Sequence, residues 1–276
     1  MIHTENQFVS DDGLKLYRQS WQDADASKAV LAIVHGFGEH SGRYMNVVNY
    51  MVPIGIEICS YDHRGHGRSE GKRGHVLNWS EFRSDLKRFL QLIRSEKTGK
   101  PLFIMGHSMG GLILLNYLMY EKEDVRAVIA SSPLLAQPAI SPLLVTISRI
   151  LSRISPGFSI DTNLNAEHIS RDSNVVKEYL EDTLVHSKAS ARFGTELTAA
   201  IEWTQSHASE FTLPLMVIHG TADGLVPVEG SQEFYDRVAL PDKELHLYED
   251  GYHESHNDIH KETVLKDYEN WINRHL

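Results

Sequence analysis

The sequence Gly106-His107-Ser108-Met109-Gly110, followed by a second glycine at position 111, decides the fold of this chain. An apolar run at 101–105 precedes it and another at 112–118 follows it, a pattern that predicts a strand turning sharply into a helix. A serine at the apex of so tight a turn takes a strained backbone conformation, and side chains two residues away on either side would clash. The glycines at 106 and 110 remove that clash.

A turn of this kind raises the serine hydroxyl above the sheet and directs the N-terminus of the following helix at any oxyanion that forms there. It is the nucleophile elbow of serine hydrolases, if an acid and a base follow in the required order. The short motif alone is weak evidence, because an ordinary glycine-rich turn between a strand and a helix gives the same pattern. The rest of the chain therefore tests this interpretation.

The composition of the chain bounds its class. With 276 residues, 41% of them hydrophobic, it is long enough for one large α/β domain or two small ones. A net charge of −10 argues against a nucleic-acid partner and against general attraction to anionic membranes. The single cysteine, Cys59, lies in an apolar run, where we expect a buried core residue, and it cannot form an internal disulfide.

The sequence also bears on location. Residues 1–7 contain neither a basic start nor an apolar stretch, so we expect no secretory signal. The run 101–120 carries no Asp, Glu, Lys or Arg, but its glycine-rich turn leaves two halves too short to cross a bilayer. We therefore expect a cytoplasmic protein without a transmembrane segment.

The order of apolar runs predicts a mostly parallel sheet flanked by helices. An Asp-Gly turn at 11–13 joins two β-prone runs, and strands follow at 29–34, 54–61, 101–105 and 125–130. An amphipathic helix is predicted at 79–94. Strands that alternate with helices imply parallel pairing with helices on both faces. The alternation stops near residue 135 and resumes with a strand at 213–218, a helix at 228–238, a strand at 244–248 and a final helix.

The interruption predicts a cap of residues 135–210, inserted after the sixth strand between core segments 1–134 and 211–276. Its patterns are only helical or irregular. Its apolar stripe could pack against the core. Alternatively, it could belong to a lid that guides a lipid chain into a pocket or touches a membrane surface transiently. Amphipathicity alone does not separate these cases. The stripe consists of Ile140, Leu143, Leu144, Ile147, Leu151 and Ile154.

The residues needed for serine catalysis appear in the chain order Ser108, Asp223, His253, each at the C-terminal end of a predicted strand. A serine hydroxyl attacks well only when a base removes its proton, and imidazole exchanges protons near neutral pH. The carboxylate would hold the imidazole in the correct tautomer and stabilise its charged form. His256 and His260 are rivals for the base. The three histidines could also be read as a metal cluster, but no H-E-x-x-H or cysteine motif supports one, and we predict no metal.

Two further loops follow predicted strands at the same edge of the sheet as Ser108. The strand at 29–34 runs into a glycine-containing turn, in which the backbone N–H of Phe37 is a candidate oxyanion donor. The N–H of Met109, directly after the nucleophile, is the other. The polar loop at 62–69 follows the next strand, and we expect Asp62 and Arg64 to tie loops together there.

At this point the chain resembles a known family. The sequences HGFGEHSGRY (35–44), GHSMGG (106–111), GTAD (220–223) and YH (252–253) resemble the monoacylglycerol lipase and lysophospholipase branch of the α/β-hydrolases, within the serine aminopeptidase-like hydrolase group. The resemblance covers nearly the whole chain, and it implies the α/β-hydrolase fold. It also implies Ser108, Asp223 and His253 as the triad and the N–H groups of Phe37 and Met109 as the oxyanion hole.

The resemblance further implies a polar subsite for a glycerol headgroup, which maps onto Glu39, Arg43, His107, Tyr179 and His256. The chain departs from mammalian members in two respects. Phe37 replaces an alanine, so we expect a preserved backbone donor beside a narrower pocket entrance. The cysteines that line the pocket of mammalian members have no evident counterpart, so thiol reagents should matter little.

These observations favour a cofactor-free serine ester hydrolase that cleaves monoacylglycerols to glycerol and fatty acid through an acyl-enzyme on Ser108. Its expected partner is a small lipid ester. A lysophospholipase, a short-chain carboxylesterase and a peptidase stay open, since one triad serves them all. A dehalogenase is excluded because it needs Asp at position 108. A non-catalytic hydrolase-fold binding protein is a more remote alternative. The sequence leaves acyl-chain length and oligomeric state open.

Overall fold

The computed structural model describes residues 1–23, 27–137, 142–162 and 164–276, with the backbone alone for 142–145. Its strands are β1 (Ile2–Val9), β2 (Lys15–Gln22), β3 (Ala29–Val34), β4 (Ile56–Tyr61), β5 (Leu102–His107), β6 (Val128–Ser131), β7 (Ser159–Asp161), β8 (Lys188–Ser190), β9 (Leu215–Gly220) and β10 (Lys243–Tyr248). Its α-helices are α1 (Met45–Met51), α2 (Ser80–Glu96), α3 (Met109–Tyr120), α4 (Pro142–Ile154), α5 (Ser173–Glu181), α6 (Ala191–Ser206), α7 (Val228–Arg237) and α8 (Lys261–Arg274).

The centre of the molecule is an eight-stranded sheet in the order β1-β2-β4-β3-β5-β6-β9-β10. The pairs β1–β2 and β2–β4 are antiparallel and the other pairs are parallel. The mostly parallel sheet predicted from the sequence is thus confirmed. Because the parallel strands share one direction, their carboxyl ends meet at one edge, and the loops that carry the predicted catalytic residues converge there.

Helices cover both faces of the sheet, each over its own hydrophobic core. On one face the buried side chains of α2 and α3 pack with those of α6 and α7. On the other face, side chains of α1 and α8 pack against the sheet, among them Val48, Trp271 and Ile272. The predicted stripe of α2 is buried along its length, from Phe82 to Ile93. Cys59 is buried as expected, and burial raises the pKa of its thiol to about 12.

The loop at 62–69 ties its neighbours together, as predicted. The Asp62 carboxylate accepts hydrogen bonds from the Ser41 N–H at 2.8 Å and from the Arg68 N–H at 2.8 Å. The Arg64 guanidinium donates to Asp85 of α2 at 2.6 Å and to Asp12 at 2.8 Å. A buried arginine is stable here because it is paired.

Strand boundaries differ from the predictions where burial does not follow the apolar pattern. Residues 2–7 belong to β1, an edge strand with exposed side chains, so no apolar alternation marks them. The predicted strand at 125–130 is shifted, because β6 begins only at Val128 although Val125 is buried. Ile54 belongs to a short 3₁₀-helix before β4 and not to the strand itself.

The cap lies between β6 and β9, after the sixth strand as predicted. The expectation of only helical or irregular structure is wrong in one respect, because β7 and β8 form a two-stranded antiparallel sheet. Strands of three residues are too short to show alternation in the sequence. No helix of the described residues is long and apolar enough to cross a membrane.

Two of the described members of the cap's apolar stripe point outward. Ile147 is 42% exposed and Ile154 is 78% exposed, whereas Leu151 is only partly exposed. Ile140 and the side chains of Leu143 and Leu144 lie outside the described residues. The helix contacts α6, and the hydroxyls of Ser152 and Thr195 form a 2.8 Å hydrogen bond there. Packing against the core therefore does not explain the exposed members of the stripe.

Candidate active site

Ser108 occupies the turn between β5 and α3 that the sequence predicts. Its backbone dihedrals are φ 53° and ψ −121°, a conformation that side chains adopt only under strain. The Ser108 N–H holds the turn by donating to the Ser131 carbonyl at 3.0 Å. A Cβ atom on Gly106 would lie 2.6 Å from the Gly110 carbonyl oxygen, so only glycine fits there.

Asp223 and His253, the predicted acid and base, lie in direct contact. Asp223 follows β9 and His253 follows β10, and the His253 Nδ1 lies 2.6 Å from the Asp223 Oδ2. The other carboxylate oxygen, Oδ1, accepts the N–H groups of Leu225 at 2.8 Å and Val226 at 2.9 Å. With Nδ1–H donating to the carboxylate, Nε2 is the basic nitrogen of the ring.

The pair shifts both ionisations in the direction that general-base catalysis requires. Burial disfavours a charged imidazole, but the Asp223 charge and hydrogen bond outweigh it and raise the pKa of His253 above its ordinary value. Burial would raise the pKa of Asp223, but the charge of a protonated His253 and the hydrogen bonds from His219 and His253 hold it well below its usual range. The carboxylate therefore stays ionised beside an imidazole whose basicity is raised, as the predicted role of His253 requires.

The backbone N–H groups of the two predicted oxyanion donors have no acceptor within the described part of the fold. Met109 is the first residue of α3, so its N–H has no acceptor within the helix. Among the described residues, the Phe37 N–H has no hydrogen-bond acceptor either. The Gly36 N–H donates to the Glu39 Oε1 at 2.6 Å, which fixes the turn that presents Phe37. These are the two donors predicted from the sequence.

A cavity of about 340 Å³ opens beside Ser108 and His253. Its walls are mostly apolar. One region carries polar side chains instead, those of Glu39, His107, Tyr179 and Glu254. The shape and chemistry suit an amphiphile whose ester group lies between a hydrocarbon chain and a polar head. The apolar lining includes Phe37, Leu134, Leu164, Ile169, Phe193, Leu197, Leu225 and Val226.

The polar region contains a buried arginine between two carboxylates. The Arg43 Nη2 donates to both oxygens of Glu254, at 2.8 Å and 2.7 Å. The Arg43 Nε lies 3.3 Å from the Glu39 Oε2. Burial and the Glu254 charge raise the pKa of Glu39, whereas the Arg43 charge lowers the pKa of Glu254 against the effect of burial. Two carboxyl groups thus share one cation.

The other residues of the predicted headgroup subsite lie around this cluster. Tyr179 of the cap lines the cavity, and the Arg43 guanidinium lies 4.7 Å from its ring centroid. His107 also lines the cavity and donates its Nδ1–H to the Ser131 carbonyl at 3.1 Å. Arg43 is not on the wall of this cavity but lines a second one of about 220 Å³ on its far side.

His256 is buried behind the cluster, with its ring 4.9 Å from the ring centroid of Tyr44. It does not line the catalytic cavity. Neither ring nitrogen has a hydrogen-bond partner among the described residues, and burial lowers its pKa to about 4. The second rival for the base, His260, contacts Arg171 at 2.5 Å, also away from Asp223. Of the three histidines, only His253 contacts the carboxylate.

Sequence reasoning missed Glu254 and His219. Glu254 follows the predicted base directly, so its position was visible, but an acidic neighbour of a histidine carries no recognisable motif. His219 lies four residues before Asp223, at the end of an apolar run that predicts a strand. A histidine there is indistinguishable from an ordinary core residue. The His219 Nε2 lies 3.0 Å from the Asp223 Oδ2. In addition, no group of three or more side chains that could hold a metal ion occurs within the described ranges.

Comparison with known proteins agrees with this geometry. The family model described as serine aminopeptidase, S33, matches residues 25–260. A monoacylglycerol lipase of Mycolicibacterium smegmatis is 35% identical over 99% of this chain and 98% of its own length. The monoglyceride lipase of Rattus norvegicus is 30% identical over 97% of this chain and 90% of its own length. The crystal structure of a Paleococcus ferrophilus monoacylglycerol lipase superposes with a TM-score of 0.85 at 32% identity, covering 95% of this chain and 99% of the other.

The sheet, the cap after the sixth strand and the strained serine turn define an α/β-hydrolase. Within that superfamily, the chain belongs to the S33 serine aminopeptidase family of hydrolases, whose model spans most of its length. The family resemblance predicted from the sequence is therefore confirmed.

Proposed function

We propose that this protein is a serine ester hydrolase that cleaves monoacylglycerols to glycerol and a free fatty acid. The observation that carries the proposal is the cavity, in which Ser108 lies between apolar walls and a polar region containing Glu39 and Glu254. A monoacylglycerol has the matching order of hydrocarbon chain, ester and polyol. The similarity to monoacylglycerol lipases over nearly the full chain supports the same assignment.

In the acylation step, the Ser108 hydroxyl attacks the ester carbonyl while the His253 Nε2 takes its proton. Negative charge develops on the carbonyl oxygen, where the N–H groups of Phe37 and Met109 would donate to it. The imidazolium is stabilised by Asp223 at 2.6 Å. It then gives the proton to the departing glycerol oxygen, which leaves the acyl group on Ser108.

Water completes the reaction by the same route. His253 takes a proton from a water molecule as that water attacks the acyl carbonyl, and the second tetrahedral intermediate uses the same two N–H donors. Collapse of this intermediate returns the proton to the Ser108 oxygen and releases the fatty acid. The enzyme ends in its starting state and requires no cofactor for these steps.

We assign the headgroup subsite to the polar region of the cavity, formed by the predicted residues Glu39, His107 and Tyr179 together with Glu254. Arg43 and His256 lie behind this wall and would act on the headgroup only through the residues that line it. The Glu39 Oε2 has the 3.3 Å ion pair with Arg43 but no hydrogen bond among the described residues, so a substrate hydroxyl could donate one to it. A phosphate there would face two carboxyl groups and an arginine already paired to both. Repulsion of this kind favours glycerol over the anionic headgroup of a lysophospholipid.

We also propose that the cap contacts lipid surfaces transiently during substrate uptake, in a protein whose cytoplasmic location stays a prediction. Several large apolar side chains of the cap are more than 40% exposed, including Ile147, Ile150 and Ile154 on α4. An amphipathic helix with such a face binds at the interface between water and lipid.

The first test is hydrolysis of a matched panel by the wild-type protein and by Ser108→Ala. The panel holds 1-monoacylglycerols of rising chain length, a lysophosphatidylcholine, p-nitrophenyl butyrate and an aminoacyl anilide. We expect Ser108-dependent hydrolysis with a preference for monoacylglycerol, and unchanged rates for the matched control Ser95→Ala on the exposed face of α2. A preference for butyrate or the anilide would overturn the lipase assignment, and activity that survives Ser108→Ala would overturn the triad.

The cap proposal has its own test. Ile147→Glu and Ile154→Glu should weaken co-sedimentation with phosphatidylcholine vesicles containing monoacylglycerol, with unchanged hydrolysis of p-nitrophenyl butyrate. Leu247→Glu is the matched control, since Leu247 is 39% exposed on the edge strand β10. Equal sedimentation of all three variants and the wild type would contradict the proposal.

A further inference from the structure

His219 is a fully buried histidine on the far side of the catalytic carboxylate. It lies near the end of β9, four residues before Asp223, and the loop between them folds back so that the two side chains meet. Its Nε2 is 3.0 Å from the Asp223 Oδ2 and 3.1 Å from the Val226 carbonyl oxygen. Its Nδ1 is 2.7 Å from the Ser231 hydroxyl of α7.

These partners determine the tautomer of His219. A carboxylate and a carbonyl both accept hydrogen bonds, so the Nε2 that faces them carries the proton. In the neutral ring, Nδ1 is then an acceptor, and the Ser231 hydroxyl donates to it. Every polar atom of the imidazole is thus satisfied, and the ring cannot turn without leaving a buried group unpaired.

The hydrogen bond from His219 reaches the same oxygen that the base uses. The Asp223 Oδ2 accepts from the His253 Nδ1 at 2.6 Å and from the His219 Nε2 at 3.0 Å. The Oδ1 of the same carboxylate accepts two backbone N–H groups of the loop. The carboxylate is therefore held by four donors, and its negative charge at Oδ2 is divided between two imidazole rings.

We propose that His219 is a positioning residue of the catalytic machinery, which acts on His253 through Asp223 by donating the second hydrogen bond to Oδ2. The proposal rests on the triad assignment above. A donor at Oδ2 weakens the attraction of the carboxylate for the imidazolium, so His219 limits how basic His253 becomes. It also prevents the carboxylate from rotating away from the base. A role confined to holding the loop would need only the contact with Val226.

Other groups around His253 are unchanged by substitution at 219, so they do not obscure the effect. The charged and titratable groups that face His253 are Asp223, Glu254, Glu39, His107 and His256. His107 and His256 are neutral near pH 7 because burial lowers the pKa of each. A shift in the pH profile of a His219 variant therefore reports on the Asp223 hydrogen bond.

The test compares His219→Phe, His219→Gln and Ser231→Ala with the wild type, using p-nitrophenyl butyrate across pH and a fluorophosphonate to count active sites. His219→Phe fills the space without a donor, so we expect the acidic limb of kcat/KM to move to higher pH by about 0.5 to 1 unit. We expect kcat to fall about tenfold with little change in KM, because the carboxylate loses a fixed position. His219→Gln retains an N–H donor, so its acidic limb should lie near that of the wild type. Ser231→Ala, which frees the ring, should shift it in the same direction as His219→Phe by a smaller amount.

An acidic limb that is unchanged or moves to lower pH in His219→Phe, with the same result for His219→Gln, would overturn the proposal. If His219→Phe does not fold, Ser231→Ala is compared with the wild type instead, and an acidic limb that is unchanged or moves to lower pH in Ser231→Ala would overturn the proposal. Failure of the triad assignment is distinguishable, since wild-type activity would then survive Ser108→Ala.

Discussion

Glu254→Gln should convert the headgroup region from one that repels anions to one that tolerates them. The substitution keeps the size of the side chain and its ability to accept from Asn257, whose Nδ2 lies 2.8 Å from the Glu254 Oε2. It removes one negative charge beside Arg43, which is bound to both Glu254 oxygens. The substrate pair that reports on this change is 1-oleoylglycerol and its 3-phosphate, which share the acyl chain and the ester.

The magnitude follows from Coulomb's law. For a phosphate placed roughly 6 Å from the Glu254 carboxylate, two charges in an effective dielectric of about 20 repel by about 2.8 kcal/mol. That energy corresponds to about a hundredfold in kcat/KM. Glu39 offsets part of the gain, because Glu254 helps to raise its pKa and Glu39 will ionise more fully in the variant. We therefore expect the ratio of phosphate to monoacylglycerol activity to rise by at least about tenfold.

Stability must be measured alongside, because removing one partner of a buried ion pair costs about 3–5 kcal/mol when the other charge is left unpaired. Arg43 keeps Glu39 at 3.3 Å, so we expect a smaller loss in urea denaturation. Glu178→Gln is the matched control, since Glu178 is exposed on the cap and lines only the second cavity. An activity ratio within twofold of wild type in Glu254→Gln would refute the electrostatic explanation of headgroup selection.

Three further predictions follow from single contacts. The acidic limb of wild-type kcat/KM should lie above the ordinary histidine pKa of about 6.5, because Asp223 raises the pKa of His253 against the effect of burial and only the neutral ring is a base. A pH–rate profile whose acidic limb lies below that value would contradict this prediction. Phe37→Ala should raise the ratio of long-chain to short-chain monoacylglycerol hydrolysis by about tenfold, because the Phe37 ring lines the cavity, 5.1 Å from the ring of Phe193. The substitution retains the backbone N–H of residue 37. An unchanged ratio would show that this ring does not limit chain length. Gly110→Ala should lower the free energy of unfolding by about 3 kcal/mol or more in urea denaturation, because its Cβ would meet the Val34 carbonyl. The control Gly194→Ala in α6 should be neutral or stabilising, because its Cβ would make only an ordinary contact with the Ser148 hydroxyl, at 3.9 Å.

The parts of the site that could be predicted from sequence are those whose chemistry restricts the backbone locally. A strained serine between a strand and a helix needs glycines at fixed offsets, and the φ of 53° at Ser108 is the conformation that those glycines imply. The buried parallel strands are continuous apolar runs for the same local reason, since both of their faces are covered. Signals of this kind need no knowledge of distant contacts.

The missed parts depend on contacts between distant segments. Glu254 belongs to the polar region because it binds Arg43, which is 211 positions away in the chain. No spacing rule in the sequence connects the two residues. The two faces of α4 show the same limit, because Ile147 and Ile154 carry the apolar pattern of a core helix yet point outward. Which face of an amphipathic helix is buried is determined by the surface it meets, and here that surface is reached through Ser152.

The choice of base shows how environment decides between identical side chains. His107, His253 and His256 lie close together, with ring centroids of His107 4.7 Å from His253 and 5.0 Å from His256. All three are buried, and burial alone lowers the pKa of an imidazole, which is the outcome for His107 and His256. Only His253 has a carboxylate at its Nδ1, so only its pKa rises. The rings of His107 and His256 therefore add no positive charge next to His253 near pH 7. The sequence could order the candidates by position, but only the contact with Asp223 distinguishes His253 as the proposed base.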